Sequence, residues 1–268
     1  MTEDPWPPDR DPLRKLAIVG VVVVALVCTG FGVYAWRTRP APPEAPRPTE
    51  AADPYASTPA RDYPTGAAGI VLPEARATGP FSPVEVGDVL ILVRAALIAG
   101  RLDSRMVVQR DPVDFLALLA PGERTRVQTE FTEGRFGAYA TQIAPGHRLA
   151  SAEPRVSGSV TYRLATGTLV PAIDVVTNFV WVYGFDTQRV VVVHDEVTWR
   201  VHETERVFPD QRGLWLVNSH AYMSNVDCTL AARALLAPAA APVVHPSGDP
   251  DPDTLYDPNR SLDVGQTC

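Results

Sequence analysis

Hydrophobic and polar positions divide the chain into stretches of different texture. Residues 1–15 are polar, and Leu16 to Trp36 (LAIVGVVVVALVCTGFGVYAW) is an apolar run with no charge inside it. At 1.5 Å per residue the run reaches roughly 31 Å as a helix, about the thickness of a hydrocarbon core. It is expected to be a transmembrane helix over 16–36. Residues 37–82 carry dense Pro, Ala and acidic positions without a period, as in RTRPAPPEAPRPTEAADPYASTPARDYPTG. Such a segment buries too little apolar surface to offset its ordering entropy and is expected to be a disordered tether. Semi-extended, those 45 or so residues could reach up to about 100 Å. Regular periods occupy 83–236, and a second Pro-rich stretch forms a tail over 237–268.

Helical spacing comes first in the central region. Val86, Val89, Leu90, Val93 and Leu97 recur at three and four residues, with Gly100 expected as the stop. Asp111-Pro112-Val113-Asp114 has the form of a helix start, followed by Phe115, Leu116, Leu118 and Leu119. A third, mostly polar helix is expected from Gly122 to about Phe131. From about 137 the period becomes two, and strands are expected over 152–164, 169–185, 189–207 and 213–223. Val156, Val160, Tyr162 and Leu164 alternate with Ser157, Ser159, Thr161 and Arg163, which leaves one face solvated. In TNFVWVYGF, Phe179, Trp181, Tyr183 and Phe185 share one face while Val176, Val180 and Val182 share the other, the pattern of a strand covered on both sides. Helices followed by an antiparallel meander define an α+β class, with two or three helices packed on a curved, cone-like sheet of about four strands.

The ends of the apolar run decide its type. Tyr34-Ala35-Trp36-Arg37 is an interfacial aromatic belt with a basic stop rather than a small-residue cleavage site. Lipid modification at Cys28 is the competing reading, but Val27 precedes it where a small residue is wanted. Arg10, Arg14 and Lys15 before the run outweigh Arg37 and Arg39 after it, which places the N-terminus in the cytoplasm. Cys228 and Cys268 are the cysteines outside the run, and such a pair in an extracytoplasmic lobe implies a disulfide tying the tail back. It would close a loop of about 40 residues and stabilise the lobe by about 4 kcal/mol. Two unrelated thiols are the alternative.

A net charge of −7 and a pI near 5.2 argue against a nucleic-acid surface. Lys15 is the one lysine, and Ala, Val, Pro and Arg dominate, a bias that a GC-rich bacterial genome such as an actinomycete's produces. No phosphate-binding loop, nucleophile elbow, zinc helix or C-x-x-C pair occurs, so no cofactor is expected.

The element order around DPVDFLALLAPGER and the long paired strands resembles the nuclear-transport-factor-2-like cone fold over about 84–225. With the single span and tether, the layout is similar to the bitopic assembly proteins of type IV secretion and conjugation. That resemblance implies a non-catalytic scaffold in the cell membrane, with envelope proteins or a second copy as partners. Enzymes of the cone fold place an acid in the pocket, and Asp195 interrupts an otherwise apolar stripe of Val191, Val193, Val197, Trp199 and Val201. A buried carboxylate needs a partner or a proton. Asp195 and, on the opposite parity, Asn178 are therefore the pocket candidates, against an outward bulge or an Arg partner for Asp195. His194 and His202 share a parity with Glu196, Thr198 and Arg200. They read as a solvated outer face first and as weak metal ligands second.

Overall fold

The computed structural model describes residues 53–151, 153–241 and 252–262. The polar tail at 1–15, the apolar run at 16–36, the first part of the tether and Cys268 lie outside the described residues. Among the described residues, no helix is long and apolar enough to cross a membrane.

Local signals set the helices. In α1 (Pro83–Arg101), Ser82 Oγ accepts from the Glu85 amide at 3.3 Å and Glu85 Oε2 accepts from the Ser82 amide at 2.7 Å, a reciprocal capping box. The stripe read from spacing is the buried one: Val86, Val89, Leu90, Val93 and Leu97 all face the core. Gly100 is not the stop, because the helix runs on through Arg101. A Cβ at Gly100 would lie 2.9 Å from the Tyr139 carbonyl and 3.4 Å from the Phe115 ring, so this glycine serves close packing. A short helix α2 (Ser104–Val107), not expected from spacing, starts where Asp103 Oδ1 accepts from the Arg105 amide. In α3 (Val113–Leu118) Pro112 takes the cap position, and Asp111 Oδ1 accepts from the Val113 amide at 3.1 Å. Helix α4 (Pro121–Glu133) ends at Gly134, whose φ of 70° is the left-handed conformation that favours glycine.

A two-residue strand β1 (Gln142–Ile143) precedes four long strands: β2 (Arg155–Leu164), β3 (Ala172–Gly184), β4 (Val190–His202) and β5 (Trp215–Ser224). They pair antiparallel in the order β2-β3-β4-β5, with an irregularity at Thr198/Trp199 in the last pairing. After helix α5 (Cys228–Ala231), strand β6 (Leu235–Leu236) returns to pair in parallel with β1. The fold is thus mixed α+β with a four-stranded antiparallel sheet. Ile173, Val175, Phe179, Trp181 and Tyr183 of β3 and Val191, Val193, Val197 and Trp199 of β4 share one core with the helices.

The opposite sheet face carries the main corrections. Val180, Val182, Val190, Val192 and Tyr222 form a second core with Tyr55, Ala60, Leu255 and Tyr256. Residues 53–82 were expected in the disordered tether, yet they include two 3-10 turns (Pro59–Asp62 and Gly66–Gly69) and bury Tyr55, Ala60, Ile70 and Phe81. The Tyr55 hydroxyl accepts from the Gly184 amide at 2.9 Å, and the Arg155 guanidinium stacks 5.3 Å over its ring. A Cβ at Gly184 would meet that hydroxyl at 2.9 Å, so glycine makes room for the anchor. The Pro-rich tail likewise contributes a 3-10 turn, Pro252–Tyr256, whose Leu255 and Tyr256 are buried. The Tyr63 hydroxyl donates to the Tyr256 carbonyl, joining the two straps. Isolated aromatics in Pro-rich chain leave no period to read. The lobe therefore starts at about residue 53 rather than 83.

Candidate functional site

The polar groups singled out from sequence fall on both faces of the sheet. On the helix side, β4 aims Asp195 at the C-terminal end of α1, where Arg101 Nη2 lies 2.6 Å from Asp195 Oδ2. The Trp181 indole N–H of β3 donates to the same oxygen at 2.9 Å. Arg101 also donates to the Ala140 and Gly137 carbonyls at 2.8 and 3.1 Å and to Thr141 Oγ1 at 2.8 Å. The Tyr183 hydroxyl closes the group, donating to the Arg101 carbonyl at 2.9 Å with Thr141 Oγ1 at 3.0 Å. Arg101 and Asp195 are 1% and 0% exposed. Burial pushes the Asp195 carboxyl up to about 6, opposed by the Arg101 charge and the Trp181 hydrogen bond. Among the described residues, Asp195 Oδ1 and Arg101 Nε have no hydrogen-bond partner.

Such a carboxylate has the elevated proton affinity of a general base, but here both its neighbours and its burial belong to the core. Asp195 has no exposed surface, and it is not among the residues that line the clefts at Arg189/Asn225, Arg110/His147 or Thr132/Arg233. Of the two alternatives to a pocket role, the Arg partner is the one present and the outward bulge is not. Arg101 itself escaped notice. Its signal was in the chain, since it continues the buried stripe at four residues from Leu97 and eight from Val93.

Asn178 does not join Asp195, because it points to the other face. There Asn178 Oδ1 lies 2.7 Å from His194 Nε2. His194 was expected on a solvated face and is instead 2% exposed, covered by the tail through a hydrogen bond to the Pro258 backbone. Desolvation, reinforced by the nearby Arg260 charge, pushes its pKa down to about 4, against the Pro258 bond and Asp257. An unfolded chain takes up a proton near pH 6.5 that the folded chain refuses until about pH 4. His194 therefore adds stability above pH 6.5 that is lost as pH falls toward 4, up to about 3 kcal/mol. Urea titrations at pH 7.5 and 4.5 are expected to show a larger acid loss in the native protein than in His194→Gln, and equal losses would remove His194 from the account.

His202 ends β4, eight residues and about 26 Å along the strand from His194. Its ring meets Trp215 edge-on at 6.3 Å, and burial with the adjacent Arg200 charge lowers its pKa. Arg200 is held by a two-pronged bridge to Asp174 at 2.6 and 2.9 Å. The two histidines do not share a site, and no group of three or more metal-capable side chains occurs among the described residues. Cys228 opens α5 behind the Asp227 cap, while Cys268 lies outside the described residues.

No family model matches the chain, and neither a curated protein nor a solved structure matches it.

Proposed function

We propose that the chain is a single-pass membrane protein with a cytoplasmic N-terminus, whose α+β lobe acts outside the membrane as a non-catalytic scaffold. In this reading the lobe holds envelope proteins, or a second copy of itself, within a bacterial secretion or conjugation assembly. The helices-on-sheet order is compatible with a cone-like lobe. The observation that carries the reading is the uncharged run Leu16–Trp36 joined to a lobe whose candidate catalytic groups are spent on its own fold. Asp195 serves Arg101 and Trp181, and Asn178 serves His194, which favours the scaffold over the alternative of a ligand or enzyme pocket at Asp195.

Chain geometry narrows the reach. Packing begins at about residue 53, so residues 37–52 are what connects run and lobe. Sixteen residues extend at most about 55 Å, roughly a third of what the 46 residues of a tether to residue 82 would allow fully extended. The Cys228–Cys268 bridge belongs to the same proposal. It is supported by Cys228 being disulfide-bonded and by Cys268 being the remaining cysteine outside the apolar run.

Alkaline phosphatase, active only outside the cytoplasm, tests the topology when fused after Leu262. High phosphatase activity in membranes is expected, and an inactive, stable fusion overturns the orientation. Cross-linking the full chain in native membranes tests the scaffold role. A defined homo-oligomer or a fixed-stoichiometry complex with envelope proteins is expected, whereas a strictly monomeric chain at every expression level overturns it.

A further inference from the structure

The turn after α2 and the loop between β1 and β2 face each other across a cleft of about 500 Å³. It is lined by Val108 and Arg110 on one side and by residues 143–149, IAPGHRL, on the other. That volume lies in the range of small-molecule sites. We propose that this cleft binds a small amphipathic anion, an apolar body with a single carboxylate head. The site is independent of Asp195 and of the scaffold reading.

Three observations lead there. First, the charge is one-sided. Arg110, His147 and Arg148 line the cleft and no Asp or Glu does, in a chain where 31 acids outnumber 24 Lys and Arg. Asp186 lies 3.5 Å from Arg148 Nε in an exposed pair, a weak competitor. Second, the walls are apolar. Ile143 and Ala144 are buried beneath the cleft, while Val108 is half-exposed at its edge and Leu149 and Pro145 complete the lining. An inorganic ion would leave those groups unused, and a neutral hydrocarbon would leave the positive rim unused.

Third, the cleft is preformed. Arg110 has a left-handed backbone, φ 61°, and its Nη1 donates to the Val108 and Ile143 carbonyls at 3.2 Å each, fastening the two walls together. Gln142 Nε2 donates to the Arg110 carbonyl at 3.2 Å, a further bond between the turn and β1. Gly146, in the left-handed region at φ 86°, turns the loop that forms the second wall, with open space at its Cβ position. Walls set before binding reduce the ordering cost of a ligand. A guanidinium matches the planar, two-oxygen geometry of a carboxylate.

The probe is naphthalene-2-carboxylate, titrated calorimetrically into the full-length protein in detergent, with detergent alone as the blank. One site per chain is expected. Arg148→Glu, at a side chain 85% exposed, should weaken binding about tenfold while leaving thermal unfolding unchanged. Val108→Trp should fill the cleft and abolish the signal, also without loss of fold. The neutral amide of the same ring should bind at least about tenfold more weakly. Absence of naphthoate binding overturns the proposal, as does equal binding of the amide or insensitivity to both variants. Inorganic phosphate binding as tightly as naphthoate would also overturn it, by showing a bare anion site.

Discussion

Asp195→Ala is expected to destabilise the lobe by about 3–5 kcal/mol, because it strands the Arg101 guanidinium in the core without its counter-charge. For a domain of this size that is a fall in Tm of about 10 °C or more, read by thermal unfolding of the full chain. The loss comes from the uncompensated cation, and a double variant isolates that cause. Arg101→Met with Asp195→Leu removes both charges and should recover at least half of the stability, while the Ala140 and Gly137 carbonyls and the Trp181 N–H lose their partner. A cost below about 1 kcal/mol for Asp195→Ala would show that the pair carries no such weight. The pH dependence has a definite sign. The folded carboxyl titrates near 6 and the unfolded one near 3.8, so protonation favours the folded state. The proton-linked part of Asp195's effect, separate from the loss of counter-charge on truncation at neutral pH, is fully present below about pH 3.8 and is lost as pH rises through 6. That slope is opposite to the one from His194. Asp195→Asn should abolish the first and His194→Gln the second, as followed by urea midpoints between pH 4 and 7.5.

The combined change Leu255→Ala and Tyr256→Ala is expected to cost several kcal/mol, although both residues sit in a Pro-rich tail. Each is about 5% exposed and packs on the outer sheet face. Truncating a buried leucine or aromatic costs about 2–5 kcal/mol, with less than full additivity for neighbours. The same change uncovers Val180, Val182, Val192 and Tyr222, so binding of an apolar dye should rise with the loss of stability. A tail that merely hung from the lobe would show an effect within about 0.5 kcal/mol, and that outcome would remove the strap from the fold.

The elements legible in the chain were those with a repeating pattern. The α1 stripe and the four long strands came from periods of 3.6 or 2 and matched the structure to within a few residues, except that His202 rather than Val207 ends β4. Asp111, read as a helix cap, stands one residue before the cap position that Pro112 takes. Alternation also showed that Phe179 and Val180 are both covered. It could not say by what. The covering residues, Tyr55, Ala60, Leu255 and Tyr256, lie more than a hundred residues before β3 or some fifty residues or more after β4, in segments with no period of their own. Gly100 read as a stop for a related reason. Its role is set by the Tyr139 carbonyl, a neighbour in space rather than in sequence.

Among the candidate residues, parity correctly separated Asp195 and Asn178 onto opposite faces but gave neither a partner. Asp195 as an interruption of an apolar stripe was visible from sequence, and so was the demand that it be neutralised. Arg101 as the neutraliser required α1 to lie against β4 through tertiary packing. His194 looked solvated because its neighbours Glu196, Thr198 and Arg200 are polar, and only the tail laid over it made it a buried, neutral imidazole.

By itself the sequence determined the local choices: which positions repeat at helical spacing, which alternate, where an uncharged run of membrane length lies, and that the lobe is α+β. These follow from short-range sterics, hydrogen bonding and the period of burial. Only the tertiary structure decided which polar groups meet, which sheet face the straps close, and that Arg110, His147 and Arg148 rim one cleft. Such meetings depend on contacts between distant segments, and no periodicity along the chain encodes their partners.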